Sequence, residues 1–378
     1  MKLNLPLLIA VLTSLSETFA LEHEDQNVEF IGLESKSGST IVIPRRYLGG
    51  DSTGPLLELI ESGTLYMSVG LGSKNKRTSL ALDMMSRDLI LPHYMMLTHE
   101  STSLHLTPYG TWVDLITLDK IKVEHVIKSD GMEDDQAALI GLSLEDEDGP
   151  SVFESIVEGK MLDIPIFCVV VERSPTTKKT QGSLVMGAMR LNSKSAMIRY
   201  NPIPHDFHGW GLRVNELKVE DHSFDTTGAI AVFDPTTPFT IIPASLFKKL
   251  MNSLRLSYQN NDGVLLSQKT DCSYLSTLPT LRFGIETDEY IWTADRYSLF
   301  LRDDGNNCML AITGYDAHLQ SQPVWVIGSA WLLDRSVVFD KATRHVGISD
   351  YDKDSALEGL VRFGNKESEA EVLDSQEL

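Results

Sequence analysis

Cysteine, basic charge and long apolar stretches are all scarce in this chain of 378 residues. Its 3 cysteines, Cys168, Cys272 and Cys308, show no Cys-x-x-Cys spacing, and no His-Glu-x-x-His stretch occurs, so a zinc site is not expected. An oxidising compartment suits three cysteines only if two pair and one is left over. Lys and Arg number 33 against 53 Asp and Glu, a formal net charge of −20 without a polybasic tract. Nucleic acid and anionic membrane surfaces are therefore repelled rather than recruited. Past the N-terminus no run approaches the ~20 apolar residues that spanning a bilayer requires. The tail after Tyr351 is polar and acidic, without the hydrophobic end of a lipid-anchor signal. Asn-x-Ser/Thr sequons are absent, which bears on secretion in neither direction.

What is present points to a globular protein, with 42% hydrophobic residues, enough for one or two sizeable cores. Residues 1–20 read as a secretory signal: Lys2 at the start, an apolar run from Leu5 to Leu12, and a small residue closing Thr18-Phe19-Ala20. A buried N-terminal helix is the alternative. Residues 21–60 read as a pro-segment-like region containing the dibasic Pro44-Arg45-Arg46, open between a clipped site and an ordinary surface pair. From Gly63 onward short stretches rich in Val, Ile, Leu, Thr and Tyr alternate with Gly, Asn, Asp and Pro, an all-β signature. Helical stretches are few, and helices are expected at Ser151–Glu158 and Pro243–Leu254. The clusters Glu133-Asp134-Asp135 and Glu145-Asp146-Glu147-Asp148 lack calcium-loop spacing and read as solvated loops, and His205 and His208 as surface residues. Gly70-Leu71-Gly72 is not followed by a helix, so a phosphate cradle is discarded; neither metal nor cofactor is expected.

A weak internal repeat is the most informative feature. Leu80-Ala81-Leu82-Asp83-Met84-Met85-Ser86 is followed later by Ala138-Leu139-Ile140-Gly141-Leu142; Ala231-Val232-Phe233-Asp234-Pro235-Thr236-Thr237 is followed by Trp325-Val326-Ile327-Gly328-Ser329. Each half thus has an apolar strand ending in Asp, a hydroxyl three residues on, and a later pair of hydrophobics before Gly. For an arbitrary Asp at a strand end a turn or cap role is the ordinary reading. One carboxylate per half is what a pseudo-two-fold enzyme with a paired-acid site needs.

These residues resemble the pepsin-like aspartic peptidases, and the likeness covers nearly the whole chain after the first 60 residues. Tyr66 to Asp83, with Val69-Gly70-Leu71-Gly72 inside it, looks like the strand pair leading to the first catalytic aspartate, Tyr109-Gly110-Thr111 like the flap that closes over substrate, and Gly182–Gly187 like the crossover between lobes. His208-Gly209-Trp210 with Leu212, Val214 and Leu217 resembles the second lobe's opening strand. Cys272-Ser273-Tyr274, Leu278–Phe283 and Cys308 resemble its disulfide frame, and Trp325–Ser329 with Val338-Phe339-Asp340 and Val346-Gly347-Ile348 its closing motif. The resemblance implies a mostly β, bilobal fold of two barrel-like lobes, 61–190 and 191–350, around a central cleft, with an acidic tail at 351–378. It implies a Cys272–Cys308 bridge, worth about 3 to 4 kcal/mol for a loop of that length, and leaves Cys168 as a buried thiol on a strand. It also implies that Asp83 and Asp234 share one proton, because like charges that close do not both ionise. One then activates a water against the peptide carbonyl while the other protonates the carbonyl oxygen.

The family pattern, Asp-Thr/Ser-Gly followed by Ser or Thr, is broken twice. Met84-Met85 stands in the first loop and Pro235-Thr236 in the second. Neither Met84 nor Pro235 has the hydroxyl with which the family's threonines knit the loops together, and Met85 and Thr236 put side chains where glycine lets backbone approach closely. Ser86 and Thr237 remain as candidate partners for the carboxylates, and Tyr109 and Gly110 as the flap that touches substrate. Ile90 stands where the family commonly has a tryptophan, the stretch from Asp83 to Tyr109 is short for the family, and Trp112 is open between partly filling the cleft and packing on the surface. The expectation is a secreted, monomeric homologue, extracellular or in the secretory lumen, that binds a peptide or protein in its cleft with weak or no peptidase activity. The alternative is an active acid endopeptidase using Asp83 and Asp234.

Overall fold

The computed structural model describes residues 29–35, 38–41, 56–59, 64–92, 95, 100–106, 112–118, 120–128, 138–144, 149–173, 180–190, 197–300, 306–319, 322–349, 360–363 and 370–373. The expectations for the signal at 1–20, for Pro44-Arg45-Arg46, for Glu133–Asp135 and Glu145–Asp148, and for Tyr109, Gly110 and Thr111 lie outside the described residues.

Strands dominate because inward apolar positions recur at a spacing of two. Ile121–Lys128 is the clearest case: Ile121, Val123, His125 and Ile127 are buried, while Lys122 and Glu124 face water. Two sheets hold most of the described strands. The first runs in the order 198–202, 345–349, 335–340, 166–173, 180–186, 29–35, 65–71, 76–83, 139–141, 89–90, 121–128, 112–118, 105–106. A further pairing of Leu65–Leu71 with Trp112–Leu118 curls it into a barrel-like end. The second sheet runs 258–261, 264–267, 312–314, 240–242, 322–327, 222–233, 211–219, 281–285, 288–292. The strands Arg335–Asp340 and His345–Ser349, late in sequence, pair back onto the first sheet through Ile166–Arg173, so that sheet is built from both ends of the chain.

Within the first sheet, Glu29–Ser35 lies between Thr180–Met186 and Leu65–Leu71, antiparallel to both. Two further strands, Gly38–Ile41 and Leu56–Leu59, pair with one another. In the tail, Leu360–Phe363 and Ala370–Leu373 form a hairpin whose first strand pairs with Met189–Arg190, which composition alone did not foretell.

Both expected helices form. Val152–Glu158 opens on a capping box: Glu154 N donates to Ser151 Oγ at 3.2 Å and Ser151 N donates to Glu154 Oε2 at 3.0 Å. The other Glu154 oxygen accepts from Lys341 Nζ at 2.6 Å, tying this helix to the turn between the last two strands of the first sheet. Ala244–Leu254 follows Pro243 and buries Leu246, Phe247, Leu250, Met251 and Leu254.

The core is continuous between the sheets. At its centre Phe167 stacks on Phe339 at 4.7 Å, and Trp210 meets both rings edge-on at 5.6 and 5.3 Å. Truncating such a ring costs about 3 to 5 kcal/mol. Cys272 and Cys308 form a disulfide with Cα atoms 4.9 Å apart, and Cys168 is buried on Ile166–Arg173. Among the described residues no helix is long and apolar enough to cross a membrane.

Candidate active site

The strand Lys76–Asp83 grows more buried along its length, so Asp83 ends it with no exposed surface. Leu139–Gly141 runs parallel beside it, Gly141 opposite Asp83, and Leu142 N donates to Asp83 O at 2.7 Å. The chain after Asp83 then folds over Gly141: Gly141 N donates to Asp88 O at 3.1 Å and Ser143 N to Ser86 O at 3.0 Å. A Cβ at Gly141 would lie 2.4 Å from Ser86 O, so only glycine admits this path.

The second half repeats the construction. His222–Phe233 delivers Asp234, again fully buried, and Gln322–Ile327 runs parallel beside it with Phe233 opposite Ile327. Asp234 N donates to Ile327 O at 3.0 Å, and Ser329 N to Thr237 O at 2.9 Å. A Cβ at Gly328 would lie 2.4 Å from Phe239 O. The repeat read from the sequence is thus a repeat of backbone path.

Each carboxylate is oriented by donors from its own loop. Asp83 Oδ1 accepts from Met85 N at 2.8 Å and Ser86 N at 3.2 Å. Asp234 Oδ1 accepts from Thr236 N at 3.0 Å and Thr236 Oγ1 at 2.6 Å. Ser86 therefore serves Asp83 with its amide; its hydroxyl is buried and has no hydrogen-bond partner among the described residues, unlike the hydroxyl contact expected of it. Thr237 Oγ1 accepts from Phe239 N at 3.2 Å, bracing the turn after Asp234. Met84 is buried in the core and Met85 half-buried.

The two loops are brought together by a segment that sequence reasoning passed over. Leu65 N donates to Pro235 O at 3.2 Å, and Thr64 Oγ1 donates to Thr236 O at 2.8 Å. Thr64 lies just before the strand Leu65–Leu71, whose Tyr66 pairs with Ala81 of the strand that ends in Asp83. Thr64, at the entrance to the strand neighbouring the first acid's strand, thus grips the loop of the second acid. In the opposite direction Trp210 Nε1 donates to Leu142 O at 2.8 Å, and the Met85 methyl is 3.7 Å from where a Gly209 Cβ would stand.

Behind the first loop sits His125, buried, with Nε2 3.1 Å from Arg87 O and Nδ1 3.0 Å from Ser155 Oγ. Burial holds its pKa below the ordinary 6.5, and Arg87 adds to the lowering; the bond to the Arg87 carbonyl and the charge of Asp88 pull the other way without cancelling it. Its inward slot on an alternating strand was visible in the sequence. Leu106 pairs with Trp112, and both are exposed. Ile90 pairs with Leu139 beside the first acid's strand. The described residues hold no group of three or more His, Cys, Asp or Glu side chains arranged for a metal ion.

The fold, with one aspartate loop repeated in each half, is that of the pepsin-like proteinases. The sequence profile described as "Eukaryotic aspartyl protease" matches residues 111–351, and the chain belongs to that family. That match takes in Asp234 and begins after Asp83. Among curated relatives, Cathepsin E-A of Xenopus laevis is 26% identical over 199 residues, covering 52% of this chain and 48% of the relative. Cathepsin D of Chionodraco hamatus is 24% identical over 200 residues, covering 52% and 49%. The matches span about half the length of these relatives. The crystal structure of aspartic proteinase from Irpex lacteus superposes with a TM-score of 0.64 at 16% identity, over 86% of this chain and 99% of that one, a likeness of fold.

Proposed function

We propose that this chain is a secreted, monomeric pepsin-like homologue whose two lobes, 61–190 and 191–350, hold a peptide between them, and that its peptidase activity is weak or absent. Asp83 and Asp234 form the centre of the site, with Ser86 and Thr237 bracing their loops and Tyr109 and Gly110 closing from the flap. The observation that carries this reading is the treatment of Asp234 Oδ1, which accepts both the amide and the hydroxyl of Thr236. In the family pattern that position is a glycine and offers only an amide. A hydroxyl fixed on the carboxylate competes with the water that the reaction has to activate, and at the corresponding position beside Asp83 a methionine, Met85, stands where the family has glycine.

The second reading, an active acid endopeptidase, draws support from the retention of both carboxylates at strand ends, each held by two donors. The reaction available to it is the general acid–base attack of water on a peptide carbonyl by a pair sharing one proton. The two readings separate in one experiment: cleavage of an unfolded protein substrate in acid buffer by wild type, Asp83→Asn and Asp234→Asn, with peptide binding followed in parallel. The first reading expects binding with little or no turnover in any of the three. Cleavage by wild type that either substitution abolishes establishes the second reading and ends the first.

A further inference from the structure

We infer that Thr64, together with the peptide N–H of Leu65, is the positioning group that aligns the Asp234 loop, in the role left vacant by the missing hydroxyls of residues 84 and 235. The inference rests on reading Asp83 and Asp234 as one site. Met84 and Pro235 have no hydroxyl to reach across, and Pro235 has no N–H. Yet the Asp234 loop is held at two consecutive carbonyls, Pro235 O by Leu65 N at 3.2 Å and Thr236 O by Thr64 Oγ1 at 2.8 Å. Thr64 is 6% exposed, so its bond forms away from competing water.

The geometry makes this more than a chance contact. Thr236 is the residue whose amide and hydroxyl both bind Asp234 Oδ1. Fixing the Thr236 carbonyl fixes the plane of the peptide that follows it and limits rotation of Thr236 as a whole, and through it the carboxylate. Because Thr64 immediately precedes Leu65–Leu71, the strand paired with Lys76–Asp83, the bond ties the Asp234 loop to the neighbour of the first acid's strand. In the reverse direction Trp210 Nε1 reaches Leu142 O, beside the Asp83 loop rather than on it, and Met85 against Gly209 is an apolar contact that fills space without setting an angle. The directed grip on the Asp234 loop therefore comes from the Thr64 side.

The test uses the full chain labelled with 13C at aspartate carboxyls, with the Asp83 and Asp234 resonances assigned by their loss in Asp83→Asn and Asp234→Asn. Thr64→Val, nearly isosteric, is expected to move the Asp234 resonance and to speed exchange of the Thr236 amide about tenfold, the change matching one lost net hydrogen bond. Thr64→Ser restores both. An Asp234 resonance unmoved in folded Thr64→Val overturns the inference, as does an equal shift produced by Met85→Ala. Should Thr64→Val fail to fold, wild type decides: the Leu65 amide is expected to be protected from exchange, and exchange at the rate of an exposed amide overturns the assignment. If instead the single-site reading fails, Asp83→Asn leaves the Asp234 resonance in place while the Thr64 effect persists.

Discussion

The two aspartate loops share a backbone and differ in almost everything attached to it. Each follows a buried strand, lies against a parallel neighbour and folds over a glycine with no room for a Cβ. The first loop is then held by apolar packing of Met84 and by His125 from behind, the second by the hydroxyls of Thr64, Thr236 and Thr237. Backbone bonds repeat because parallel pairing dictates them, whereas side-chain bonds repeat only if the sequence keeps the residues that make them. A loop can therefore keep its path after losing the side chains that once oriented it.

Substitutions in each half measure how far the two loops are alike. The largest effect is expected from Cys308→Ser, which opens a crosslink spanning 36 residues present only in the second half. A loss of about 4 kcal/mol in urea unfolding is expected, with the second half melting ahead of the first. Next come Gly141→Ala and Gly328→Ala, which force a methyl to 2.4 Å from a carbonyl oxygen in each loop. About 3 kcal/mol is expected at either site, since backbone has to yield; a much smaller cost at one of them would show that its loop is not built like the other.

The smallest effect distinguishes the first loop alone. Because the folded protein binds a proton at His125 less readily than the unfolded chain does, the stability His125 contributes is complete above 6.5 and drains away as pH falls through its lowered value. Wild type is therefore expected to lose more melting temperature between neutral and mildly acid buffer than His125→Gln does. Equal losses would remove His125 as the acid-sensitive support of the Asp83 loop.

Much of the fold was legible because it is written in local pattern. Short stretches rich in Val, Ile, Leu, Thr and Tyr between turn residues gave the strands, Pro243 before an apolar run gave a helix, and the repeat of an Asp-ended strand with a later hydrophobics-then-Gly element marked the segments that pair in parallel at each loop. The site was legible to the level of loops. Which atom of Ser86 would serve Asp83 depends on the turn geometry, and amide and hydroxyl are only a bond or two apart. Thr64 was hidden because a hydroxyl at a strand entrance looks the same whether it caps its own turn or reaches a residue 172 positions away. The tail hairpin was hidden for the same reason: its partner, Met189–Arg190, is remote in sequence.

The placement of Glu29–Ser35 bears on any maturation of the chain. It is an inner stave with bonded neighbours on both flanks, Met186 to Gln181 on one side and Met67 to Leu65 on the other. Withdrawing it would leave those neighbours about 10 Å apart, two strand spacings, with facing rows of stranded amides and carbonyls. Trimming that takes away the front of this protein has to leave the stave standing or slot another extended segment into its gap.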